Sequence, residues 1–212
     1  MDHVSRASFR AASNRILRSP PAIAAAGLLS LLLAMGIGRF AFTALLPQMR
    51  DEGLLDIGSG GLLAAMNYLG YLAGALWAAF SRNADARQRL LGGLLASVAT
   101  TFAMGFEPGF AVWCVLRFVS GVASAAVYVY ATGIVLRSLA ELSAAGWSAL
   151  HYMGVGSGIV VSALVAQAMA GGGGALPGWR TLGWLAGAAA LLVAWVLLPL
   201  GRHGPVSKPV AG

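Results

Sequence analysis

The residues of this chain that could do chemistry are two arginines in segments otherwise too apolar to hold them. Between Pro21 and Leu46 the single ionisable side chain is Arg39, within GIGRFAFTALLPQM, and Arg117 interrupts a second apolar run that starts at Phe110. An arginine at the middle of a bilayer helix costs roughly 2.5–3.5 kcal/mol on insertion scales, so each needs compensation. Arg39 lies about 7 residues before Leu46, roughly 10 Å of helix, a long reach for snorkelling to the headgroups. Arg117 lies as far into an antiparallel run, so both are expected at one depth. Neither run contains an acidic residue. Two guanidinium groups facing one polar cavity would attract an anionic solute, because the planar fork matches carboxylate or phosphate. The alternative is that each binds backbone carbonyls or polar side chains at a helix contact.

Three further side chains join them as candidates for solute binding. Asn67, in AAMNYLGYLAGAL, is the strongly polar residue of its run, and in hydrocarbon its amide must find partners on another helix or in a cavity. Tyr71 lies one turn on. His151, in WSALHYMGVGSGIVVSA, has the titration range to relay protons near neutral pH, or it closes an interhelical hydrogen bond. Gly70 and Gly74 form a GxxxG step, and Gly154 and Gly158 line a similar face; small residues at that spacing let helices approach closely. Gly156-Ser157-Gly158 invites comparison with a serine nucleophile, but His151 lies about 240° round the same helix from Ser157 at 100° per residue, so it cannot serve as its base. Cys114 is the single cysteine, which excludes an internal disulfide and any cysteine-based metal site. No metal and no cofactor is expected.

Holding these residues requires membrane spans. Charged residues make up 10% of the chain and hydrophobic ones 58%, against about 25% charged in soluble domains, so the chain cannot cover a globule with polar surface. The formal charge of +7 sits in short connecting segments, not in a basic stripe, which argues against nucleic acid as a partner. With about 20 apolar residues per crossing, six helices are predicted at roughly 21–46, 58–80, 90–106, 110–136, 145–170 and 181–200. They form one transmembrane domain, 21–200, between a basic N-terminal tail, 1–20, and a C-terminal tail, 201–212. The first run is too long for a signal-peptide core and is read as a retained span.

Positive charges orient the bundle. Arg6, Arg10, Arg15 and Arg18 precede helix 1, Arg82, Arg87 and Arg89 lie between helices 2 and 3, Arg137 follows helix 4, and Arg202 and Lys208 follow helix 6; Arg50 and Arg180 fall on the other side. Both termini are therefore expected in the cytoplasm. Tryptophans fit the same frame as interfacial anchors, with Trp113, Trp179 and Trp184 near outer ends and Trp77, Trp147 and Trp195 near inner ends.

The segments GIGRFAFTALLPQM, NYLGYLAGAL, RFVSGVASA and HYMGVGSGIV together resemble the major facilitator superfamily, and within it the YbfB/YjiJ-like bacterial group of transporters. The resemblance implies an all-α fold of twelve helices of which this chain matches the N-terminal six, in two inverted three-helix repeats with solute near the midplane. It implies that helices 1 and 4 line the cavity, helices 2 and 5 lie between halves, and helices 3 and 6 are peripheral. Arg117 to Gly121 also looks like the superfamily's RxxxG signature, which makes Gly121 a further packing glycine. The loop between helices 2 and 3 normally carries Gly, then Asp four residues on; here Gly74 is followed at that spacing by Ala78. A cytoplasmic gate of Arg82, Asp85 and Arg87 is the remnant of that pattern, and a solvated loop is the simpler account.

The leading expectation is a secondary transporter of the bacterial inner membrane that moves a small polar or anionic solute by alternating access, with no enzymatic activity. Its partners would be the solute, the lipid bilayer and a second six-helix half or a second copy of the chain. A non-transporting six-helix membrane protein and an intramembrane serine protease are the alternatives.

Overall fold

The computed structural model describes residues 19–81, 85–107 and 109–200. Among these, every regular element is helical. We label them α1 (Pro20–Asp51), α2 (Ile57–Phe80), α3 (Ala86–Ala103), α4 (Phe110–Glu141), α5 (Ser148–Met169) and α6 (Ala175–Leu200). All except α3 belong to the five helices long and apolar enough to cross a membrane. α3 has 18 residues and carries Arg87 and Arg89 in its first turn, which lowers its mean hydropathy.

α1 opens with Pro20 and Pro21, tolerated there because the first N–H groups of a helix have no internal partner. It then widens into a π-helical segment, Leu32–Ile37, before resuming as α-helix over Ala41–Asp51. It runs past Leu46 and Pro47 because Met49, beyond the proline, is fully buried, and because Gln48 Nε2 donates to the Ala166 carbonyl of α5. The expected end at residue 46 is thus corrected by tertiary contact. α6 likewise begins at Ala175 and not at 181, since the Glu52 carboxylate following α1 accepts from the Ala175 amide at 2.8 Å. α3 begins at Ala86 and not at 90, with the Asp85 carboxylate accepting from the Arg87 amide at 2.9 Å.

α2 is capped by Asp56, whose carboxylate accepts from the Ser59 amide at 2.7 Å while the Ser59 hydroxyl accepts from the Asp56 amide at 2.9 Å. Hydrogen bonds from the Ser59 hydroxyl and amide hold the Asp56 carboxyl below its usual range. A depressed native value means the cap contributes fully above the unfolded pKa, about 3.9, and is lost as pH falls through the native value. Protection of the first-turn amides of α2, corrected for intrinsic exchange, should therefore hold down to about pH 4 and drop below it.

α4 is the hub: α2 packs along one side of it and α3 along another, while α1 packs on it through Pro20–Leu31 and the π segment. α5 packs on α1, and α6 packs on α3 and on the first part of α1. Glycines set the two closest crossings. A Cβ on Gly70 would strike the Phe118 carbonyl and one on Gly121 the Asn67 carbonyl, so α2 and α4 touch backbone to backbone, with Gly74 against Val122 and Ala125 a turn on. Gly154 abuts the Leu28 carbonyl and Gly158 abuts Leu32 and Gly36, which brings α5 onto α1. The tryptophans divide differently from expectation. Trp184, Trp77, Trp147 and Trp195 are exposed, but Trp179 is fully buried and Trp113 nearly so, its indole N–H donating to the Phe106 carbonyl at 3.0 Å. These last two are core residues, packed inside the bundle.

Candidate solute site

The site is built on the irregular stretch of α1. In the π segment Gly38 N–H donates to the Leu33 carbonyl at 2.8 Å, and Arg39 and Phe40 N–H both turn to Met35. Neighbouring carbonyls are released from the helical ladder, and in hydrocarbon each needs another donor. α4 supplies them from one face, at i, i+3 and i+7. Ser124 donates to the Ala34 carbonyl at 2.6 Å, Ser120 to Gly38 at 2.8 Å, and Arg117 to Gly38 through Nη1 and to Arg39 through Nη2, both at 3.2 Å. Ser162 of α5 donates to Gly36 at 3.3 Å. The irregular backbone is thus sealed inside protein.

Arg117 is therefore spent on the backbone. It is 2% exposed, and its guanidinium lies 4.7 Å over the Phe42 ring. The expectation of two arginines facing one open cavity is corrected: the groups come together, but one is enclosed. Asn67 is equally occupied, since its amide N–H donates to the Arg117 carbonyl at 3.0 Å and 1% of its surface is exposed. It ties α2 to α4 and does not face a cavity.

Arg39 differs. Its side chain leaves α1 toward α2, where the two helices make little direct contact, and its guanidinium carbon lies 4.3 Å from the Tyr71 ring centroid and 4.8 Å from that of Tyr68. Phe40 lies 5.6 Å away on the near side. Of the five candidates, the structure joins Arg39 with Tyr71 directly and sets Arg117 beneath them, bound to Arg39's own carbonyl. Sequence reasoning missed Ser120, Ser124 and Ser162. The spacing R-x-x-S-x-x-x-S in α4 was the available signal, because it puts three donors on one face.

His151 stands apart, fully buried, with Nε2 3.0 Å from the Thr132 hydroxyl of α4 and its ring against Gly27 of α1. Ser157 donates to the Met153 carbonyl and has no contact with that ring. Of the gate residues, Arg82 lies outside the described residues; Asp85 caps α3, and Arg87 supplies the amide it caps. Arg89 stacks 3.8 Å over Trp77, joining α3 to α2.

The family model described as "Uncharacterised MFS-type transporter YbfB" matches residues 31–211, which takes in the π segment, Arg39, Arg117 and every helix from the break in α1 onward. The chain belongs to this transporter family. It is also 30% identical over 99 residues to the "Uncharacterized MFS-type transporter YceJ" of Bacillus subtilis (strain 168), an alignment covering 46% of this chain. The chain spans 25% of the length of that relative. The family is one of transporters, and the five long apolar helices fit a multi-pass membrane protein.

Removing one carbonyl donor has a calculable effect. Ser124→Ala leaves the buried Ala34 carbonyl without its 2.6 Å donor, and an orphaned buried acceptor costs about 1–3 kcal/mol. A lower thermal midpoint in detergent is expected, with expression retained.

Proposed function

We propose that this chain supplies one six-helix unit of a secondary active transporter of the bacterial inner membrane, and that a small anionic or polar solute binds at Arg39 during alternating access. In this reading α3 also crosses the membrane and brings the spans to six, its arginines at the cytoplasmic interface, and both termini are cytoplasmic. α1 and α4 line the solute path, while α2 and α5 face a second six-helix unit, supplied by a longer polypeptide or a second copy. Their outer faces carry exposed Leu69 and Leu72, and Met153, Val160 and Leu164, apolar surface suited to such an interface.

One observation carries the proposal. Arg39 lies between two apolar helices, and among the described residues no acidic side chain is paired with it and, unlike Arg117, it is not consumed by backbone carbonyls. A guanidinium so placed favours an anion, and hydrogen bonds to charged groups are worth about 1.5–3 kcal/mol. Uptake of labelled organic anions into proteoliposomes bearing the full-length protein tests it. Arg39→Ala is expected to lower uptake at subsaturating solute by about tenfold to a hundredfold, with Arg39→Lys between it and wild type. Full transport by the alanine variant would remove Arg39 from the site.

A further inference from the structure

The surroundings of Arg39 narrow what it can hold. Its guanidinium is flanked by the rings of Tyr71 and Tyr68 at 4.3 and 4.8 Å, and stacking on ring faces leaves the N–H edge for a ligand. Among the described residues no acceptor meets that edge, and Nε is buried without one.

Among the described residues the charge available at this place is single. Arg117, the other guanidinium nearby, donates both Nη groups to the carbonyls of Gly38 and Arg39 and is closed to solvent. A second carboxylate on a solute would find no second fork. A solute ammonium would fare no better. The carboxylates of the described residues, Asp51, Glu52, Asp56, Asp85, Glu107 and Glu141, all lie at helix ends or in turns. The titratable neighbours of Tyr71 are Arg39 and the phenol of Tyr128. Tyr68 is 55% exposed, so one face of its ring is open to a flat apolar partner.

We infer that Arg39, Tyr68 and Tyr71 form a subsite for a monocarboxylate on a planar aromatic or conjugated body, the carboxylate meeting the guanidinium edge and the body lying on the tyrosine rings. The inference rests on the transporter reading, which makes the open face of Tyr68 a wall of the solute path and not a lipid contact.

Calorimetric titration of the full-length protein in nanodiscs tests it with four probes. Benzoate has one charge on a flat ring, cyclohexanecarboxylate one charge on a puckered ring, phthalate two charges, and phenylalanine an added ammonium. Benzoate is expected to bind at least about tenfold more tightly than the other three, a difference of about 1.4 kcal/mol. Arg39→Gln should weaken benzoate by at least the same factor, with the ligand-free thermal midpoint confirming that the variant is folded. The double variant Tyr68→Leu/Tyr71→Leu should weaken benzoate by more than cyclohexanecarboxylate and so close the gap between them. Phthalate or phenylalanine binding as tightly as benzoate, yet lost in Arg39→Gln, would overturn the monocarboxylate class and leave the anion site standing. Binding of benzoate that ignores Arg39→Gln, or no binding of any of the four, would overturn the site itself.

Discussion

Replacing Gly158 with valine is expected to leave little folded protein. A Cβ at this position lands 2.5 Å from the Leu32 carbonyl oxygen and 2.6 Å from Gly36 Cα. Both are backbone atoms, which cannot rotate away, so α5 must lift off α1. That movement would break the Ser162 bond to Gly36 and loosen the packing of Leu33 and Ile37, which are completely buried. Overpacking costs about 1–3 kcal/mol where side chains can adjust, and here the upper end or more is expected. Gly156 is the control within the same helix, since a Cβ there meets nothing within 4 Å. Alanine at Gly156 should be neutral or stabilising by up to about 1 kcal/mol through helix propensity. Comparing midpoints and monodisperse yield of Gly158→Val, Gly158→Ala and Gly156→Ala separates the contact from the propensity. Equal behaviour of Gly158→Ala and Gly156→Ala would refute the close crossing.

Arg117 is the second position where a large change is expected, and its signature is in transport more than in stability. Leucine there removes both donors from the Gly38 and Arg39 carbonyls; Ser120 still serves Gly38 at 2.8 Å, leaving one carbonyl orphaned at about 1–3 kcal/mol. Relief from burying a charge offsets part of that, so the net stability change should stay within about 2 kcal/mol. The backbone at Arg39, however, loses the clamp that fixes where its side chain leaves α1. Arg117 is thus a positioning residue. Arg117→Leu should raise the KM for solute by at least about tenfold, since small displacements of a binding group have such effects, while an intact maximal rate at saturating solute is expected. Arg117→Lys keeps the charge but lacks the fork, and should restore only part of the loss. Full rescue by lysine would mean that charge, and not the two-carbonyl grip, is what Arg117 contributes.

Much of this arrangement was legible in residue types. Two arginines in apolar runs announce an unusual polar feature whatever the fold, and the glycine spacings of NYLGYLAGAL and HYMGVGSG locate the helix crossings that Gly70, Gly154 and Gly158 make. What the runs could not reveal was which arginine is free. That depends on the π segment of α1, whose released carbonyls are met by the donating hydroxyls of Ser120, Ser124 and Ser162, about 80 to 130 residues away in sequence. Helix ends were missed for the same reason: α6 starts where Glu52, from the turn after α1, accepts from its first amide, and α1 continues past Pro47 because Gln48 bonds to α5 and Met49 is buried. Trp113 and Trp179 show the limit of reading interfacial tryptophans from position along a span, because depth says nothing about which way a ring faces.

The central claim is that water and solute reach Arg39 while Arg117 is sealed beneath it. Thiol accessibility measures this directly, with single cysteines placed at Arg39 and at Arg117 in a Cys114→Ala background of the full-length protein. An anionic methanethiosulfonate applied from the aqueous phase is expected to modify the cysteine at position 39 readily and the one at 117 hardly at all. It should also outpace its cationic analogue at position 39, since the Arg117 charge lies alongside. Two inert cysteines, or two that react equally, would contradict the account.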